Sequence, residues 1–180
     1  MKLDHIIEAY VADQEWREVS VERDEAKETC EASLHLSVSN QSYRTFIEAD
    51  EKREMFFLYM YAPFSVIEGK FVDACMLFNF LNDQYTYRGK LTVLDDGAIR
   101  YKECIDLDRL EPNMAMIDNM VSSGVGLFRD HCEAIAAVAL TRKTYEAIRE
   151  DYDKKNAARE ALKQQNDTEE NGNAGPEEND

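Results

Sequence analysis

His131 and Cys132 form the one adjacent pair in this chain that suggests nucleophilic chemistry, because a thiolate needs an imidazole base within hydrogen-bond reach. Their spacing argues against it. Neighbours on a helix project ~100° apart and do not face each other. Cys132 also falls on the apolar stripe of its helix, where a packed thiol is expected. Metal chemistry finds no better support. The three histidines, His5, His35 and His131, are scattered, and Cys30, Cys75, Cys104 and Cys132 share no close spacing. Asp95-Asp96-Gly97 has the look of a calcium loop but lacks the further spaced oxygens and downstream glutamate that such a loop needs. Ser123-Gly124-Val125-Gly126 lies inside a helical pattern without the preceding strand of a phosphate loop. No cofactor and no metal are expected, and an enzyme acting through Cys132 is the least favoured reading.

The elements that would position these residues follow from periodicity. Leu3, Ile6, Ile7, Tyr10 and Val11 make one stripe of a short helix. From Ala32 the period becomes two. Leu34, Leu36 and Val38 alternate with polar residues, Asn40-Gln41 reads as a turn, and Ser42 to Asp50 is a second strand. In it, Tyr43, Thr45 and Ile47 face one way and Arg44, Phe46 and Glu48 the other. Met55 to Tyr61 has no polar face, which predicts a strand covered on both sides. Pro63 should stop its ladder, and Ser65 with Glu68 forms a capping box for a helix burying Ile67, Phe71, Ala74, Cys75, Phe78 and Leu81. Asp96-Gly97 predicts a hairpin with positive φ at both turn positions, between Lys90–Leu94 and Ala98–Leu107. Pro112 is placed to open a third helix with Ile117, Met120, Val121, Gly124, Phe128, Cys132, Ile135 and Ala139 on its apolar face. The expectation is an α+β fold, with an antiparallel sheet of about five strands in the order α-βββ-α-ββ-α.

Four regions result: a helix and charged connector over 1–31, an α+β domain over 32–140, a charged helical extension over 141–165, and an acidic tail over 166–180 expected to be disordered and dispensable for folding. The chain holds 37 acids against 21 bases, a net charge of −16, and Gln164 to Asp180 contain no base. Such a surface repels phosphate backbones and anionic lipid heads, so neither nucleic acid nor membrane is an expected partner, while a basic protein is allowed. The start of the chain lacks a signal-peptide core, which makes the cytoplasm the expected location, and the thiols should be reduced and mostly buried.

The chain resembles the YbjN family of bacterial sensory transduction regulators. The resemblance rests on the strand Met55–Tyr61, Pro63, the helix Ser65–Leu81 with Asn82 at its end, Gly89, Asp95-Asp96-Gly97 with Tyr101, and the last apolar helix, and it covers about Leu34 to Leu140. It implies a fold like that of the type III secretion chaperones, small acidic dimers that hold a partner chain, and a regulatory or chaperone-like role without catalytic residues.

The expected function is therefore a non-catalytic, cytoplasmic protein-interaction module. The alternative is an acidic nucleic-acid mimic that sequesters a basic protein. Phe46, Tyr59 and Tyr61 are the expected partner-binding residues, since an aromatic patch with a charged rim offers area and steering. A homodimer is expected as well, with Met120, Gly124 and Phe128 as one candidate contact.

Overall fold

The computed structural model describes residues 2–16 and 18–172, with side chains described as far as Leu162. Its elements are α1 (Lys2–Asp13), β1 (Ser20–Asp24), β2 (Thr29–Val38), β3 (Gln41–Asp50), β4 (Met55–Ser65), α2 (Phe71–Gln84), β5 (Lys90–Val93), β6 (Ala98–Asp106), α3 (Met114–Leu140) and α4 (Tyr145–Gly172). The strands form one sheet in the order β1-β2-β3-β4-β6-β5, antiparallel throughout. The fold is α+β as expected, with six strands rather than about five.

One face of the sheet is the core face. Ala32 and Leu34 of β2, Tyr43 and Ile47 of β3, Phe56, Leu58 and Met60 of β4, and Ile99 and Tyr101 of β6 are all buried there. α1 and α3 pack on this face, α2 packs against β5 and α3, and α4 packs against α2 and α3. Met120 and Phe128 of α3 are fully buried, and the Phe128 ring lies 4.3 Å from that of Tyr43. A Cβ at Gly124 would stand 2.5 Å from Met60 Sδ and 3.0 Å from the Tyr101 ring. The inter-chain contact expected of Met120, Gly124 and Phe128 is thus corrected to an internal one. The small residue lets the helix approach the sheet, and none of the three reaches the surface.

Other expectations change as well. β1 was not foreseen because Ser-Val-Glu-Arg-Asp is almost wholly exposed and buries nothing that would leave a pattern. It is held by its ladder to β2 and by Arg23, whose Nε lies 3.3 Å from Asp4 of α1 and whose guanidinium also pairs with Glu8. The helix expected from Ser65 starts six residues later. Ser65 instead closes β4 opposite Ala98, past an irregularity that absorbs Pro63, and the next two amides are taken by distant carbonyls: Val66 N donates to Gly97 O (2.9 Å) and Ile67 N to Ala139 O (3.0 Å). The delay rotates the buried face, so Ile67 and Phe71 are 45% and 43% exposed and Cys75 is exposed, while Leu77, Phe78 and Leu81 fill the core with Ala74. Lys70 stands at the start of this helix without a side-chain cap; its Nζ bonds Asp73 (2.5 Å) and the Lys143 carbonyl (2.7 Å), and Asp73 in turn accepts the Tyr145 N–H that opens α4 (2.9 Å).

The turns also differ in kind. Ser39 and Asn40, with φ of 49° and 62°, make the two-residue turn between β2 and β3. At the other hairpin only Gly97 is left-handed (φ 81°), and its N–H closes the turn on Leu94 O (2.8 Å). This is a type I turn followed by a left-handed glycine, not the doubly left-handed turn the Asp-Gly pair suggested. Asn113, not Pro112, precedes the first helical residue of α3. α4 includes residues 166–172, which were expected to lack structure; residues 173–180 of that expected disordered tail lie outside the described residues. Among the described residues, no helix is long and apolar enough to cross a membrane.

Candidate recognition surface

The second face of the sheet carries no helix among the described residues. Alternation along the strands sends Arg44, Phe46 and Glu48 of β3, Phe57, Tyr59 and Tyr61 of β4, and Arg100, Lys102 and Cys104 of β6 to this side. The register then sets them in rows. Phe46 lies opposite Tyr59, and Tyr59 opposite Lys102; in the next row Arg44 lies opposite Tyr61, and Tyr61 opposite Arg100. The sequence-predicted residues Phe46, Tyr59 and Tyr61 therefore stand together on adjacent strands, all half-buried. The Phe46 and Tyr61 rings meet edge-on at 5.8 Å, and Phe57 and Tyr59 lie parallel at 6.1 Å.

Side chains, rather than another element, shield this strip. The Arg44 guanidinium sits 5.4 Å from the Phe46 ring and 5.2 Å from the Tyr61 ring. Arg100 lies 5.6 Å from Tyr59, and the Lys102 ammonium 5.7 Å from both Phe57 and Tyr59. Arg53 covers Phe57 at 4.8 Å. Long basic side chains lay their stems on apolar surface while the head stays wet, and each cation over a ring contributes about 0.5–1 kcal/mol at exposed sites. That explains how Met55–Tyr61 can be apolar on both faces: α3 covers one, and a layer of cations covers the other. The tyrosines were legible as the wetter side; the cations over them were not, because Arg100 and Lys102 arrive from a strand some forty residues away in sequence.

The face is not uniformly basic. Glu22, Glu31 and Glu48 lie opposite one another across β1, β2 and β3. Burial, then Glu48 and Glu22, hold the Glu31 carboxyl above its ordinary range. Arg53 spends its charge on Asp50 (2.5 Å).

The His131–Cys132 pair lies elsewhere, in the seam of α3 with α4. It is His131 that turns inward and Cys132 that is half-exposed, one residue out of phase with the expected packed thiol. Both ring nitrogens are engaged: Nδ1 with Tyr152 Oη (2.8 Å) and Nε2 with Tyr87 Oη (3.3 Å), while Tyr87 also donates to Asp130 (2.8 Å). The Cys132 thiol instead points at the Arg129 carbonyl, 4.0 Å away. The imidazole is thus a strut between helices and not a base for the thiol. The expectation of mostly buried thiols also fails, since only Cys30 is buried while Cys75 and Cys104 are exposed.

Burial holds the His131 imidazole below its ordinary 6.5, against an opposing pull from Asp130. The unfolded chain then takes up a proton near pH 6.5 that the folded chain refuses until lower pH. The resulting stability is present above 6.5 and is lost as pH falls through the folded value, by at most about 1.4 kcal/mol per pH unit. Melting followed just below pH 6.5 should show this slope, and His131→Gln should flatten it. An unchanged slope in the variant would mean that the imidazole is already open to water.

No protein-family model and no curated protein matches the sequence. Solved structures overlap it in part. A chain of the ExsC–ExsE complex shares 11% identity over 72% of this chain and 92% of its own, with a TM-score of 0.48. One from the HopA1–SchA chaperone–effector complex shares 14% over 71% and 93% (TM-score 0.46). One from the ExoU–SpcU complex of the Pseudomonas aeruginosa type III secretion system shares 12% over 74% and 98% (TM-score 0.46). Overlaps of this size concern the layout of helices and strands and say nothing of what this chain binds.

Proposed function

We propose that this chain is a non-catalytic protein-interaction module whose recognition surface is the helix-free face of the sheet. The observation that carries the reading is the contiguous strip of Phe46, Tyr59 and Tyr61, with Phe57 beside it, on the sheet face that no helix covers among the described residues. Half-buried aromatic rings covered only by side chains can be uncovered at low cost, and rings of this kind supply most of the energy at protein interfaces. The finer reading, a cytoplasmic regulator or chaperone of the YbjN kind, rests on the sequence resemblance. It draws some support from the way Gly89 and Tyr101, two residues that carry that resemblance, meet: Gly89 N donates to Tyr101 Oη at 2.8 Å. A homodimer would have to use exposed side chains, and the apolar ones in and just before α2 are Ile67, Phe71, Val72 and Met76.

The nucleic-acid mimic is disfavoured by the same face, which mixes Arg44, Arg100 and Lys102 with Glu31 and Glu48 where a mimic needs arrayed carboxylates. A basic partner has the net charge of −16 in its favour, acting at long range. Replacing Tyr59 and Tyr61 together by Ser should weaken capture of the partner from extracts of the source cell while leaving the melting temperature in place. Capture at the wild-type level, or loss of folding, would remove the proposed surface.

A further inference from the structure

Although the chain as a whole is strongly acidic, three cations on its helix-free sheet face lie over aromatic rings and not beside acids. Arg23, Lys27, Arg53, Lys70 and Arg129 each lie within 4.0 Å of a carboxylate. Among the described residues Arg44, Arg100 and Lys102 show no such ion pair; the groups they meet are the rings of Phe46, Phe57, Tyr59 and Tyr61. Lys90 stands opposite Lys102 on the outer strand, but its ammonium turns to the Asn82 carbonyl of α2 (3.0 Å) and is not counted with them. The Nε of Arg100 is shielded from solvent and has no acceptor, a donor left without the hydrogen bond that buried guanidinium groups almost always make. What sets these three apart is the rings beneath them; Glu48 stands on the same face, but the cation it pairs with there is Arg53.

We infer that this face binds an acidic, extended segment of a partner polypeptide, its carboxylates meeting Arg44, Arg100 and Lys102 and its apolar side chains lying on Phe46, Tyr59 and Tyr61. The inference rests on the reading of this face as the recognition surface and adds the sign of the partner's charge there. A carboxylate can take two guanidinium N–H groups side by side, so Arg44 and Arg100 are suited to it. The rings beneath give the apolar half of the contact, and the cations already lie over them, so little ordering is required on this side. The partner as a whole can still be basic, because net charge steers encounter while local pairs decide docking. Aromatic rings among cations also suit single-stranded nucleic acid. The row Glu22, Glu31 and Glu48 on the same face, together with a net charge of −16, opposes a phosphate backbone, which carries a charge at every residue and cannot skip that row.

Three probes decide the matter on the full chain: a labelled peptide alternating glutamate with leucine, its twin alternating lysine with leucine, and an oligothymidylate of similar length. Fluorescence anisotropy at low salt should show the glutamate peptide bound at least about tenfold more tightly than either of the others, with affinity falling as salt rises. R44E/K102E should weaken it by about tenfold or more. Both side chains are at the surface and outside the core, and R44Q/K102Q, with an intermediate loss, controls for an effect on folding. Equal binding of the two peptides, preference for the oligothymidylate, or indifference to both double variants would overturn the inference. If the glutamate peptide fails while Y59S/Y61S still weakens partner capture, the surface stands and the assigned charge is wrong. If both fail, the surface itself is wrong.

Discussion

Phe128→Ala should lower stability by about 3–5 kcal/mol, the usual cost of emptying a fully buried aromatic site. Phe128 is 0% exposed and packs on Tyr43, itself buried, so α3 and β3 both lose a contact and the void cannot collapse without moving the sheet. The transition midpoint in urea would report the loss. The difference between variant and wild type should be the same at every protein concentration, because the ring packs within one chain. A difference that grows on dilution would return Phe128 to the subunit interface first suggested by the sequence pattern.

Gly89→Ala should be nearly as damaging, for the opposite reason. A Cβ there would stand 2.4 Å from Tyr101 Cζ, 2.6 Å from Tyr101 Oη and 2.6 Å from the Lys102 carbonyl. The Tyr101 hydroxyl cannot swing aside: it accepts the Gly89 N–H (2.8 Å), donates to Glu103 (2.6 Å), and lies 3.0 Å from Ser123 Oγ. The Lys102 carbonyl belongs to the backbone of β6. Overpacking of this kind costs about 1–3 kcal/mol and sometimes more, and here it would also break a buried hydrogen-bond network. Gly124→Ala is expected to cost less, since its nearest obstacle is the Sδ of Met60, part of a flexible side chain. Thermal melting of the two variants side by side checks the order; equal or reversed losses would show that β5 and β6 can part to admit a methyl group.

The sequence by itself determined the parts whose signal is local. Period-two alternation in Leu34–Val38 and Ser42–Asp50 needs only the strand's own residues, so β2, β3 and the two faces of β4 could be read with their sides assigned, as could the stripe of α1 and most of α3. The same alternation put Phe46, Tyr59 and Tyr61 on one side. What tertiary structure alone decided was everything that depends on a distant partner. β1 exists because β2 offers a ladder and Arg23 reaches α1, not because its own residues prefer a strand. The start of α2 moved because Gly97 and Ala139, remote in sequence, accept the Val66 and Ile67 amides and hold in extended chain the residues expected to open the helix. His131 changed places with Cys132 at the seam because Tyr87 and Tyr152 supply partners for both imidazole nitrogens. The cations of the recognition face come from β3 and β6, brought to either side of β4 by a crossover that no local pattern encodes. Side-chain periodicity reports which residues want to be covered; only the packed chain decides what covers them, because burial free energy is set by neighbours and not by the residue alone.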